Sequence, residues 1–178
     1  MITRDRYTGK GQKNTGLVRE KMNGGIVPGN EVLLVMGCPE VPVQGAVATY
    51  LGYQFRKQGA HVVVAGNPSV IQLTKVSDPE GHYLGEFVIL DKAVEELVEK
   101  TRSAATCIVF AHNDAGISYA ASMRHLLPDS RLIVIVFGRN AEELGSLVTF
   151  PCEKIVEKAV HNPGILKKKI NEVFGWAA

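Results

Sequence analysis

Residues 31–58, EVLLVMGCPEVPVQGAVATYLGYQFRKQ, decide the fold class. Glu31 to Met36 is a run of Val, Leu and Met without the polar alternation of a half-buried strand, so it reads as a strand covered on both faces. Gly37-Cys38-Pro39-Glu40-Val41-Pro42 follows as a turn, since prolines and a glycine interrupt regular structure. From Val43 to about Gln58 the period changes. Val47, Tyr50, Leu51 and Phe55 fall on one stripe of a helix, and Gly59 supplies a stop. A buried strand, a turn and an amphipathic helix form the opening of a β-α-β unit.

The same pattern recurs along the chain. His61 to Ala65 (HVVVA) is a second buried strand, ending at Gly66-Asn67-Pro68, with a short helix from Ser69 to about Thr74. Ser77 to His82 is a polar loop, Phe87 to Leu90 a short strand or lead-in, and Asp91 the expected N-cap of a helix through about Arg102. Thr106 to Ala111 (TCIVFA) is a third strand, ending in His112-Asn113-Asp114. A helix from about Ala115 to Leu127 stops before Pro128. Arg131 opens a fourth strand, RLIVIVF, and Asn140 with Glu143 resembles a capping box. Val148 to Phe150 is expected as a last short strand, and two helices, about Cys152–Val160 and Pro163–Phe174, close the chain. Such alternation requires crossover connections, and hence a mostly parallel sheet with helices on both faces.

The chain has 178 residues, of which 46% are hydrophobic and 21% charged, a composition suited to one domain with a sizeable core. Residues 1–28 hold Arg4, Arg6, Lys10, Lys13, Arg19 and Lys21 against Asp5 and Glu20. They form a basic arm with a net charge of +4, ahead of a single α/β domain over 29–178. The net charge of +2 for the whole chain is too small to imply nucleic-acid binding. No apolar run reaches the roughly 18–20 residues of a membrane-spanning helix. Cys38, Cys107 and Cys152 are widely spaced with no CxxC, and no signal peptide is evident, so a reducing cytoplasm is the expected location.

Ligands in open α/β sheets bind outside the carboxyl ends of the strands. Those ends carry Cys38-Pro39-Glu40, Asn67-Pro68, His112-Asn113-Asp114 and Gly138-Arg139-Asn140. Cys38 stands between a strand end and a helix N-terminus, where a thiolate is favoured; it equally suits a small buried residue in a tight turn. His112 and Asp114 have the chemistry of acid/base groups. Asn113 or Asp114 equally suits a helix cap, and for Asp114 taken alone the cap is the expected role. Asp78, Glu80 and His82 put two carboxylates and an imidazole into one short loop, which reads either as a binding loop or as a solvated turn. Cys107 and Cys152 read as packing residues, and His61 and His125 as structural. A metal site drawn from Cys38, Glu40, His82, His112, Asp114 and His161 matches no ligand spacing, so neither a metal nor a cofactor is assigned. GxGxxG is absent after the first strand, GxxxxGK[ST] is absent, and so is GxSxG; standard dinucleotide, P-loop and α/β-hydrolase sites are not expected.

The run from Gly37 to Gln44, together with Gly66-Asn67-Pro68, Asp78-Pro79-Glu80-Gly81-His82-Tyr83, His112-Asn113-Asp114-Ala115-Gly116 and His161-Asn162-Pro163, resembles the domain-of-unknown-function family numbered 1890. The likeness covers about residues 30–174. It implies a three-layer α/β/α fold, Rossmann-like without the dinucleotide fingerprint, a methanogen source and a cytoplasmic location, and it implies no activity. The strand-turn-helix opening resembles the sulfur-relay DsrE-like proteins more loosely, at the level of the fold.

The function expected from these residues is the binding of a small ligand, cofactor or metal at the strand carboxyl ends. Cys38, His112 and Asp114 would carry any chemistry, with Glu40, Asn67, Asp78, Glu80, His82 and Asn113 binding. A site shared by all of these requires Cys38, His82 and His112 to lie together. Two alternatives stand beside it: a thiol-dependent enzyme or sulfur carrier using Cys38, and a non-catalytic subunit of a methanogen protein complex. The residues name no reaction. The expected partners are a small molecule and a second copy of the chain as a homodimer, with no membrane and no nucleic acid.

Overall fold

The computed structural model describes residues 30–177; the basic arm, 1–28, lies outside them. The first half of the described chain forms β1 (Glu31–Met36), α1 (Val43–Lys57), β2 (His61–Gly66), α2 (Pro68–Ser77), β3 (Glu86–Ile89) and α3 (Leu90–Val98). The second half forms β4 (Thr106–Ala111), α4 (Asp114–Leu126), β5 (Arg131–Phe137), α5 (Ala141–Leu147), β6 (Glu153–Glu157) and α6 (Gly164–Phe174). The strands make one sheet in the order β3-β2-β1-β4-β5-β6. Every adjacent pair in it is parallel. This is the Rossmann order, and it places the topological switch point between β1 and β4.

The uninterrupted apolar runs are explained by burial on two sides. Along β1, Val32, Leu34 and Met36 join the core beneath α1 and α6. Leu33 and Val35 join the core beneath α3, α4 and α5. Each face of the sheet therefore has its own apolar layer, giving the three-layer α/β/α arrangement. Val70 of α2 belongs to the first of these cores, so α2 lies on the same face as α1.

The structure departs from the sequence reading in several places, among them the cap expected of Asn140, whose side chain makes no capping bond to α5. The helix expected over Cys152–Val160 is the strand β6, and no strand forms at Val148–Phe150. The exposed polar edge of β5 is satisfied by pairing, Ile133 opposite Glu153 through Phe137 opposite Glu157, and that demand overrides the helical spacing of Ile155 and Ala159. Gly145 of α5 admits the strand closely: a Cβ there would stand 2.9 Å from Cγ2 of Val156. Asp91 is not the cap of α3; Ile89 is, and Asp91 sits in the first turn.

A further departure is the end of α3. The helix stops at Val98 and not near Arg102, and the chain turns through Lys100 at φ 58°. Arg102 is thereby carried to the amino ends of the strands. Its guanidinium donates to both oxygens of Glu31 at 2.9 Å, to Glu86 at 2.8 Å and to Glu96 at 2.7 Å. Burial works against the charge of Arg102, but the three carboxylates outweigh it and raise its pKa further above the ordinary value.

Candidate functional site

At the switch point the loops after β1 and β4 meet. Nε2 of His112 lies 2.8 Å from the carbonyl oxygen of Cys38. A carbonyl only accepts, so Nε2 carries the hydrogen. The His112 ring also leans on Phe137, with centroids 5.6 Å apart. One imidazole thus joins three strand ends: those of β1, β4 and β5.

A concavity lies on either side of this contact. The larger lies between α1 and α2 and has a volume of about 550 Å³, within the usual range of small-molecule sites. Its apolar wall comes from Met36, Pro39, Val41, Pro42, Val70 and Leu73. Gly45 and Ala46 line it where α1 begins, and its polar groups are Gln44, Thr49, Thr74 and Ser77. Gln44 is 1% exposed; its Nε2 faces the Gly37 carbonyl at 3.4 Å, and its Oε1 is buried without a partner. Buried acceptors are rarely left so, because the desolvated oxygen costs about 1–3 kcal/mol.

The smaller concavity, about 310 Å³, is lined by His112, Asn113, Asp114, Asn140, Glu143 and Leu144 among others. Asn113, and not Asp114, is the cap of α4; its Oδ1 accepts from the amide of Gly116 at 3.1 Å. Asp114 is exposed in the first helical turn, where a negative charge complements the helix dipole.

Cys38 and Glu40 are exposed on either side of Pro39, at the lip of the larger cleft. The reading of Cys38 as a buried filler therefore does not hold. Asn67 caps α2, its Oδ1 accepting from the amide of Val70 at 2.9 Å. Cys107 is fully buried, and desolvation pushes its thiol up to about 12. Cys152 is half-buried, and burial raises its thiol as well.

Asp78, Glu80 and His82 belong to a different part of the molecule. Helix α2 starts at the carboxyl end of β2 and carries the chain back to the start of β3, so their loop stands at the amino edge of the sheet. Arg56, in the last turn of α1, donates to the carbonyl of Gly81 at 2.5 Å. Gly52 lets the loop close on α1; a Cβ there would lie 2.7 Å from the Tyr83 carbonyl oxygen. A six-residue strand, about 20 Å long, separates this edge from Cys38 and His112. A site shared by Cys38, His82 and His112 is thus ruled out by the topology. Both carboxylate oxygens of Asp78 are engaged by backbone amides, Oδ1 by His82 at 2.9 Å and Oδ2 by Tyr83 and Leu84 at 2.8 Å. Burial raises the pKa of Asp78, but those three amides outweigh it and hold the carboxyl below its ordinary range. Glu80 and His82 pair at 2.9 Å on the exposed surface.

None of the nine residues singled out from the sequence lines the larger cleft. Its one sequence signal is Gln44, a polar side chain three residues before Val47 on the apolar stripe of α1. Among the described residues no group of three or more His, Cys, Asp or Glu side chains could hold a metal ion, and no helix is long and apolar enough to cross a membrane.

The arrangement has known counterparts. The uncharacterized protein MJ0452 of Methanocaldococcus jannaschii, a methanogenic archaeon, is 30% identical over 145 residues, covering 80% of this chain and 96% of that protein. The solved structure of MT0777 is similar with a TM-score of 0.75 and 33% identity, over 82% of this chain and 97% of that one. The family model described as Domain of unknown function (DUF1890) matches residues 33–173, from β1 into α6. With the fold and its relatives in agreement, the chain belongs to the DUF1890 family.

Proposed function

We propose that this chain is a cytoplasmic protein that binds a small organic molecule in the cleft between α1 and α2. The observation that carries the reading is the cavity of about 550 Å³ at the carboxyl end of the sheet between α1 and α2, walled by apolar side chains and by Gln44, whose amide oxygen is buried without a partner. An apolar concavity with a few polar groups is the usual form of a small-molecule site. Three free cysteines support the cytoplasmic part of the reading.

Gly45 offers a direct test. A Cβ at this position meets nothing within 4 Å, and Gly45 lines the cleft, so Gly45→Phe fills the space from a helical backbone that welcomes a side chain. A mixture of small organic fragments is titrated into labelled protein and followed by amide NMR. Shifts confined to the first turns of α1 and to α2, and absent in Gly45→Phe, support the reading. Shifts that persist in the filled variant, or that cluster elsewhere, refute it.

A further inference from the structure

The cleft's polar groups point to one chemical class of ligand, and this step rests on the ligand-binding reading above. Among the described residues no charged side chain lines the cleft. The hydroxyls in its wall donate into their own helices: Thr49 to the Gly45 carbonyl at 3.0 Å, Thr74 to Val70 at 2.7 Å and Ser77 to Leu73 at 3.0 Å. With their hydrogens engaged, these oxygens offer only lone pairs. Gln44 holds a fourth acceptor, Oε1, buried and unpartnered behind the wall of the cleft.

The start of α1 would ordinarily supply the opposite chemistry, free amides that attract an anion. Here it supplies only one. Residues 39 and 42 are prolines without an N–H. The amide of Val43 donates to the Val160 carbonyl at 3.1 Å and that of Gln44 to the Val41 carbonyl at 3.1 Å, which leaves the Gly45 amide as the free donor of the first turn. A phosphate or carboxylate placed in the cleft would meet one free amide among acceptors and apolar carbon, without a cation to offset its desolvation.

We therefore propose that the cleft selects a neutral, largely apolar molecule that presents an N–H or O–H donor to Gln44, and that it excludes phosphate and carboxylate groups. Oε1 is covered by its neighbours, so a ligand donor reaches it as the amide turns about χ3, a torsion with broad wells. The bond that restrains this turn, Nε2 to the Gly37 carbonyl, is long at 3.4 Å.

Matched probes separate the parts of the proposal. Quinolin-2(1H)-one carries an N–H donor; its N-methyl derivative lacks it; quinoline-2-carboxylate is an anion of similar size. Affinities are measured by amide NMR titration on the full chain, on Gln44→Met and on Gly45→Phe. The proposal expects quinolin-2(1H)-one to bind about tenfold more tightly than its N-methyl form, the carboxylate to bind more weakly than either, and the preference for N–H to vanish in Gln44→Met. Equal affinity of the N–H and N-methyl probes, or tighter binding of the carboxylate, overturns it while leaving the cleft as a binding site. Binding that Gly45→Phe leaves unchanged overturns the ligand-binding reading itself.

Discussion

His112 donates the hydrogen of Nε2 to the carbonyl of Cys38 across the seam between β4 and β1, at 2.8 Å. This bond crosses the point where strand order reverses, the place where open α/β sheets commonly seat their ligands. Here the point is closed by the protein's own side chain, and the larger opening lies beside it, between α1 and α2. His112 → Phe keeps an aromatic ring against Phe137 and removes the donor. The expected result is a loss of about 1 kcal/mol in stability and faster amide exchange through residues 38–42, measured by denaturant unfolding and by hydrogen exchange.

The three cysteines differ enough in burial to be told apart chemically. Cys38 is exposed, Cys152 is half-buried with its thiol raised by desolvation, and Cys107 is buried with a thiol pushed up to about 12. Thiolates are the reactive species. A disulfide reagent at pH 8 should modify Cys38 first and Cys152 more slowly, and should reach Cys107 only on unfolding. Mass spectrometry of peptides over a time course reads the order directly.

Asp78 should report on pH. Its carboxyl is held below the ordinary range in the folded chain by the amides of Leu84, Tyr83 and His82, against the opposing effect of burial. A group with a lowered folded pKa stabilises the fold above its unfolded value and loses that contribution as pH falls through the folded value. Asp78→Asn is therefore expected to lose about 1–3 kcal/mol at pH 7. The gap between the two proteins should close as pH falls below about 4, the unfolded range of an aspartate. Denaturant midpoints at a series of pH values test both statements.

Arg102 is the amino-edge counterpart. Glu31 is 1% exposed, and its charge is balanced at 2.9 Å by the Arg102 guanidinium. Arg102→Met leaves Glu31 buried without its cation, and removing one partner of a buried pair costs about 3–5 kcal/mol. The double variant Arg102→Met with Glu31→Met should recover much of that loss, as thermal unfolding would show.

Most of the sheet is legible in the sequence because β1, β2, β4 and β5 are covered on both faces, and that burial imposes unbroken Val, Leu and Ile runs. β6 is not, because an edge strand keeps exposed Glu153 and Lys154 beside buried Ile155; the mixture mimics an amphipathic helix. Residue types also say little about which end of the sheet a loop reaches. The loop with Asp78, Glu80 and His82 carries the most suggestive side chains, yet ten residues of α2, about 15 Å of helix, move it to the far edge. The cleft shows the reverse: it is built from Pro, Val, Thr and Leu, which carry no chemical signature. Only Gln44, polar and fully buried, marks it in the sequence.

Occupancy of the cleft in the cell is the central question. Native mass spectrometry of the protein recovered from its own source, beside Gly45→Phe produced in the same cells, tests this most directly. The native protein should carry an excess mass on the order of a few hundred daltons, the scale of a ligand for such a pocket, lost on denaturation and missing from the filled variant. A bare native protein, or the same excess in both, would refute occupancy of the cleft.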